Sequence, residues 1–369
     1  MKQQKRQNMQ LDIEQTIRQD IASLKPYEAH VIEGNIKLDA NENPFPWPMG
    51  MKEELFSSGF EFNRYPDGKA QILRDEIARY NGVKAEEVLL GNGSDELIQV
   101  TLHTFGGRGR SLMIHPPTFG MYAVAATITG TTVVEVPLLQ GIKLDLNTML
   151  EKCSDDESIK VIIVCNPNNP TGTLFPQEEI LKLVRQTKAL VVVDEAYVEF
   201  AGESLIGEIN NYPNLLIMRT FSKAFGMAAL RLGYVLGNEE LINCLNKVRQ
   251  PFNVNSFSQQ AGVIALKYEA EYKKQIEIIK KEMQILYNEL NKIPNLRVLP
   301  TMANFILIQP KEPSNLAEKL SAKGFTIRNL GNIPGLGQSL RISSGTPEEN
   351  KAFLQAIKEV ADSNNLGDY

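Results

Sequence analysis

The stretch Leu215-Leu-Ile-Met-Arg-Thr-Phe-Ser-Lys-Ala-Phe-Gly226 decides how this chain is read. Its first four residues form a short apolar run, whose length and boundaries predict a buried strand. Lys223 follows just beyond the strand end, among small and hydroxyl residues. An apolar strand that delivers a lysine presents it to a site rather than to bulk water. That lysine is either a point charge for a phosphate or an amine held for covalent chemistry.

Working outward, strand patterns recur at Glu87–Leu90, Ser111–Ile114, Thr132–Val136, Lys160–Val164, Leu190–Val193 and Tyr234–Leu236, with helical patterns between many of them. This alternation predicts an α/β fold: a large domain with a mostly parallel sheet and helices on both faces. After Asn255 the texture becomes α+β, with helical patterns over Ser258–Ile293, a strand at Asn304–Gln309, a helix at Ser314–Ala322, short strands around Thr326 and Leu340, and a final helix at Pro347–Ser363. The expected division is an N-terminal helix and arm over 1–45 packing with the small domain, a large domain over 46–255 and the smaller α+β domain over 256–369. Ile13, Ile17, Ile21 and Leu24 predict one amphipathic helix that Pro26 closes. The segment Pro46-Trp-Pro48 marks a crossing between the two bodies.

Composition removes several classes of function. The chain has 369 residues and a net charge of −5, which gives no electrostatic footprint for nucleic acid. Three scattered cysteines argue against a disulfide framework and for a reducing cytoplasm. Apolar runs such as Val161–Cys165 fall far short of the roughly 20 residues of a membrane helix. The basic N-terminus lacks the apolar stretch of a secretory signal. Three histidines occur, none in a metal-ligand spacing or beside a nucleophile elbow. No metal is expected, and proton chemistry falls to lysine, tyrosine, carboxylates or a cofactor.

Four predicted strand ends carry chemistry. Leu90-Gly-Asn-Gly93 runs into Ser94 and Asp95 at a helix start, where backbone N–H groups and the helix dipole favour an anion. The plain alternative is a turn with a helix cap. The loop lacks the lysine of a phosphate-loop nucleotide hydrolase, and Glu96 replaces the third glycine of a dinucleotide fingerprint. Val161–Val164 leads to Cys165-Asn-Pro-Asn-Asn-Pro-Thr-Gly172, a turn in which Asn169 offers an amide and precedes a proline that tolerates a cis bond. Leu190–Val193 ends on Asp194-Glu-Ala-Tyr197, and a carboxylate there needs a cation or hydrogen bonds. Lys223 has Ser222 before it and Arg231 eight residues on. A phosphate cradle, an amide, a carboxylate and a lysine are the set that pyridoxal phosphate requires.

With Asn168-Asn-Pro-Thr-Gly172, Asp194-Glu-Ala-Tyr197 and Ser222-Lys-Ala-Phe-Gly226 in this order and spacing, the chain closely resembles the fold-type I pyridoxal-phosphate aminotransferases. Within them it is most similar to those acting on histidinol phosphate, over nearly its whole length. The resemblance implies that Lys223 forms the Schiff base to the cofactor and then serves as the base for the proton shift. It implies that Asp194 keeps the ring nitrogen protonated, that Tyr197 and Asn169 bind the ring hydroxyl oxygen, and that Phe119 stacks on the ring. Gly93, Ser94, the Asp95 backbone N–H, Ser222 and Arg231 would bind the cofactor phosphate, with help from Thr220. Tyr65 would reach the phosphate of a neighbouring subunit, so a homodimer is implied. Arg341 would clamp a substrate carboxylate, and Arg328 and Tyr27 the phosphate of the substrate.

The implied activity is a two-stage transfer between L-histidinol phosphate plus 2-oxoglutarate and imidazole-acetol phosphate plus L-glutamate. An aromatic amino-acid aminotransferase or a threonine-phosphate decarboxylase would use the same core residues. A regulatory module that binds the cofactor without turnover needs a DNA-binding domain with its own core, and residues 1–45 are too few to supply one.

Overall fold

The computed structural model describes residues 13–26, 32–311 and 315–362. A short strand β1 (Ile36–Leu38) comes first. Seven strands follow: β2 (Val88–Gly91), β3 (Ser111–Ile114), β4 (Thr132–Glu135), β5 (Ile159–Cys165), β6 (Leu190–Asp194), β7 (Leu215–Thr220) and β8 (Gly233–Leu236). They form one sheet in the order β2-β8-β7-β6-β5-β3-β4. β5, β6 and β7 sit at its centre in parallel register, and β6 and β7 are buried at every position. Strands covered on both faces carry continuous apolar runs, and so Leu190–Val193 and Leu215–Met218 were legible as strands. β8 runs antiparallel to both β2 and β7. Strand order reverses around β3 and β5, and in such sheets ligands gather at the carboxyl ends of the strands.

The second sheet contains β9 (Leu296–Val298), β10 (Phe305–Pro310), β11 (Phe325–Ile333) and β12 (Gly337–Ser343), with β1 added on its edge, in the order β1-β11-β12-β10-β9. β1 pairs in parallel with β11. The two strands expected to be short around Thr326 and Leu340 are a long hairpin. The pattern over Ser258–Ile293 resolves into two helices, Ser256–Lys267 and Glu269–Leu290. The second buries Tyr272, Ile276, Ile279, Met283, Leu286 and Leu290, a stripe at helical spacing.

The N-terminal expectation needs correction. In place of one amphipathic helix there are two single turns, Ile13–Thr16 and Gln19–Ala22, and the second buries nothing. The break falls at Arg18, whose ψ of 131° is extended. That conformation lets its guanidinium donate to the carbonyls of Thr127 and Ile128 at 3.0 Å each. These carbonyls close the helix Met121–Thr129, where a cation complements the dipole and adds a donor to the last carbonyls, the Thr127 one already accepting from the Gly130 N–H. Capping another helix outweighed the local periodicity.

Candidate active site

The carboxyl ends of β5, β6 and β7 bring Asn169, Asp194 and Lys223 into one region with Arg341 of β12. Asp194 is the last residue of β6 and is 4% exposed. Its Oδ2 accepts from the Tyr122 hydroxyl at 2.6 Å and its Oδ1 from the Ala196 backbone at 3.1 Å. Burial pushes its pKa up to about 6, against the pull of the Tyr122 hydrogen bond. A buried carboxylate with neutral partners is suited to a cationic ring nitrogen. The half-buried Lys223 Nζ donates to the Ala40 carbonyl at 3.0 Å and lies 5.9 Å above the Tyr197 ring. Burial, and then the nearby Arg341 charge, lower its pKa to about 8. Near neutral pH an amine so placed is mostly protonated, yet its neutral, nucleophilic fraction is far larger than that of a free lysine.

Tyr197 Oη accepts from Asn41 Nδ2 at 3.0 Å and more weakly from Asn169 Nδ2 at 3.5 Å. Asn169 Oδ1 in turn accepts from Arg341 Nη1 at 2.6 Å. The bond from Asn169 to Pro170 is cis, as are Asn166–Pro167 and Pro116–Pro117. Phe119 stands edge-on to Tyr122, with ring centroids 5.5 Å apart, at the start of the helix Met121–Thr129.

The anion cradle lies at the start of the helix Ser94–Phe105. Gly93 has φ +81°, and a Cβ there would stand 2.8 Å from Arg231 Nη2, so the turn requires glycine. At Gly233 a Cβ would come within 2.6 Å of the Ser94 backbone nitrogen. Arg231 is held over this helix start by the Asp95 carboxylate at 2.9 Å. Asp95 therefore positions the guanidinium with its side chain. Thr220 Oγ1 accepts from the Ser222 backbone at 3.1 Å and shapes the turn that carries Ser222 and Lys223. Acid, amine, ring-oxygen donors and anion cradle together fit pyridoxal phosphate.

Arg341 Nη2 donates to the Asp39 carbonyl at 2.7 Å, and its guanidinium stacks over Phe305 at 5.5 Å. Arg328 of β11 is its direct cross-strand partner. Tyr65 is 83% exposed and stacks on Phe252, with centroids 4.6 Å apart. Tyr27 lies outside the described residues.

The arm Asp39–Asn43 was not legible as part of the site. Its proline-rich surroundings read as a connector, yet Asp39, Ala40 and Asn41 each bond a functional side chain. Tyr122 also escaped notice. The signal for it was its spacing of three from Phe119, which puts both at one helix start. The pair Glu195–Arg219, buried and bonded at 2.8 Å, ties the end of β6 to β7 behind the site.

A family model for class I and II aminotransferases matches residues 33–357. A histidinol-phosphate aminotransferase of Desulfitobacterium hafniense is 51% identical over 355 residues, covering 95% of this chain and 98% of its own length. One from Thermococcus gammatolerans is 40% identical over 94% of this chain and 98% of its own. Among solved structures, the histidinol-phosphate aminotransferase of Clostridium acetobutylicum superimposes with a TM-score of 0.82 at 29% identity, over 89% of this chain and 99% of that one. The Sinorhizobium meliloti structure, in complex with pyridoxal-5'-phosphate, shares the fold at a TM-score of 0.82 and 24% identity, over 89% of this chain and 91% of that one. By the family model and these relatives, the chain belongs to the class I and II aminotransferases, within the histidinol-phosphate aminotransferase family.

Proposed function

We propose that this aminotransferase exchanges the amino group between L-histidinol phosphate and 2-oxoglutarate, in histidine biosynthesis, using pyridoxal phosphate. The observation that carries the substrate assignment is the register of β11 on β12, which sets Arg328 directly opposite Arg341. Like charges facing each other across a strand pair are destabilising. A phosphate or carboxylate between two guanidinium groups reverses that cost and is held by charge-assisted hydrogen bonds. The arrangement suits substrates that are alike in carrying an anion beside the amine: glutamate and an amino-alcohol phosphate. Tyr27 completes the phosphate subsite.

Pyridoxal phosphate supplies an aldehyde that carries the amino group and a ring that accepts the electron pair released at the substrate Cα. The chain's own residues do the rest. Lys223 would hold the aldehyde through its amine and would serve as the base that moves the proton at the substrate Cα. Asp194 holds the proton at the ring nitrogen, with Tyr122 fixing the carboxylate. Tyr197 and Asn169 orient the ring through its hydroxyl oxygen, and Phe119 covers one face. Gly93, Ser94, the Asp95 N–H, Ser222 and Arg231 hold the phosphate, and Thr220 braces Ser222.

The working unit is a homodimer. Phe56, Phe60, Phe62 and Phe257 form a chain of ring contacts, and Met49, Phe56, Phe62, Tyr65 and Ile72 are each more than 60% exposed. A contiguous apolar surface of this kind on a water-soluble chain calls for a partner, and a second copy would carry Tyr65 to its neighbour's phosphate site. The large domain spans 46–255 and the small one 256–369. The arm within 1–45 joins the small sheet through β1. No described helix is long and apolar enough to cross a membrane. Three unpaired cysteines suit the reducing cytoplasm.

Steady-state kinetics of Arg328→Ala test the substrate assignment. KM for histidinol phosphate should rise roughly 10- to 100-fold, the value of a lost charge-assisted bond. An unchanged KM for histidinol phosphate would remove Arg328 from the subsite.

A further inference from the structure

Asn41 meets Tyr197 from the arm, and every one of its polar groups is engaged. It is 1% exposed and sits at φ +53°, a left-handed conformation that asparagine tolerates better than most residues. Its backbone N–H donates to Ser343 Oγ at 2.7 Å. The Ser343 hydroxyl, having accepted that bond, gives its own hydrogen to Asn41 Oδ1 at 3.2 Å. Asn304 Nδ2 donates to the Asn41 carbonyl at 3.1 Å. With Oδ1 committed to Ser343, the Asn41 amide must present Nδ2 to Tyr197. Tyr197 Oη is therefore an acceptor from Asn41 at 3.0 Å and, at longer range, from Asn169. A phenol oxygen that accepts two donors has one hydrogen left, and among the described residues that hydrogen meets no acceptor.

We propose that Asn41 is a positioning residue that turns the Tyr197 hydroxyl outward, so that Tyr197 donates its hydrogen to the ring hydroxyl oxygen of pyridoxal phosphate. Asn41 also strengthens that donation, because an oxygen that accepts a hydrogen bond becomes a better donor. Ser343 lies two residues from Arg341 on β12, so both project from the same face of that strand. The strand that clamps the substrate anion thus also fixes Asn41, and through it the polarity of the ring oxygen. Binding at Arg341 and proton affinity at the cofactor are linked by a path of three side chains: Ser343, Asn41 and Tyr197. The inference rests on placing Tyr197 against the ring oxygen, and its test separates the two claims.

The measurement is the pH midpoint of the visible absorbance of the cofactor-loaded protein, read without substrate. A weaker donor leaves more negative charge on the ring oxygen. That charge holds the neighbouring proton on the Lys223 nitrogen more tightly, so the midpoint rises. Asn41→Gly removes the amide and keeps the left-handed backbone. It should raise the midpoint by roughly 0.5 to 1 pH unit, the worth of one hydrogen bond. Tyr197→Phe should raise it further. In the double variant Asn41→Gly should add nothing, since it acts through the hydroxyl that is gone. An unchanged midpoint in Tyr197→Phe would overturn the placement of Tyr197 and the inference with it. A shift in Tyr197→Phe with none in Asn41→Gly would overturn the inference alone, as would a full additional shift in the double variant. Should Asn41→Gly not fold, Ser343→Ala carries the same test, because it frees Asn41 Oδ1 and lets the amide rotate. A midpoint raised by a smaller amount supports the relay, and an unmoved one overturns it.

Discussion

A buried acid and a half-buried amine dominate the site at the level of single residues. Asp194 is held near pKa 6 instead of 3.8, and Lys223 near 8 instead of 10.5, in both cases chiefly by burial. Between pH 3.8 and about 6 the folded chain binds more protons at Asp194 than the unfolded chain, so stability falls as pH rises through that window. Between about 8 and 10.5 the folded chain binds fewer protons at Lys223, so stability rises with pH there. The cofactor-free protein is therefore most penalised between about pH 6 and 8, with both groups charged and desolvated. In the proposed roles of these residues, pyridoxal phosphate would offer Asp194 a cationic partner and would consume the ammonium of Lys223. The gain in Tm on loading should be largest in that window and smaller near pH 4 and pH 10, as scanning fluorimetry would read. A gain that is flat across pH would mean that these two groups do not sense the cofactor. Lys223 and Asp194 were legible in the sequence because an apolar strand ending on an ionisable residue is costly without a purpose. Asn41 was not legible, because its role depends on Ser343 and Asn304, more than 260 positions away.

Elements fix how accurately those residues are held. β6 and β7 lie side by side, and Arg219 at the end of β7 donates Nε and Nη2 to the Glu195 carboxylate at 3.0 and 2.8 Å. Asn81 Oδ1 accepts from Nη1, and Ser204 Oγ accepts a second bond from Nη2. Arg219→Met leaves Glu195 buried without its cation, which costs about 3 to 5 kcal/mol. Chemical denaturation should show that loss, and a cost under about 1 kcal/mol would mean that water or rearrangement replaces the pair. The strands themselves were readable, since Leu190–Val193 and Leu215–Met218 are apolar without interruption. The antiparallel insertion of β8 was not, because four apolar residues carry no sign of direction. The N-terminal segment misled for a related reason. Its spacing of isoleucines is local, while Arg18 answers to a helix end more than 100 residues away.

At the scale of the whole molecule, the exposed aromatic surface and the exposed Tyr65 are what the proposed homodimer would cover. Lys223→Ala alone should be inactive, and Tyr65→Ala should bind the cofactor weakly. Unfolding and refolding the two variants together makes hybrid dimers in which one site keeps both Lys223 and a partner's Tyr65. Activity above the mean of the two parents is expected, and activity equal to that mean would place Tyr65 in its own subunit's site or nowhere near one. The change of texture after Asn255 precedes the strands β9 to β12, which form a sheet of their own with β1. The hairpin of β11 and β12, which pairs Arg328 with Arg341, was not legible, since register cannot be read from two arginines separated by a turn. The chemistry those arginines select is tested most directly by a single-turnover experiment. The cofactor-loaded protein is mixed separately with histidinol phosphate, phenylalanine, tyrosine and threonine phosphate, and the cofactor absorbance is followed. Histidinol phosphate should convert it fastest and at the lowest concentration, releasing imidazole-acetol phosphate in step with the cofactor. A clear preference for phenylalanine or tyrosine, or release of carbon dioxide from threonine phosphate, would contradict the assignment.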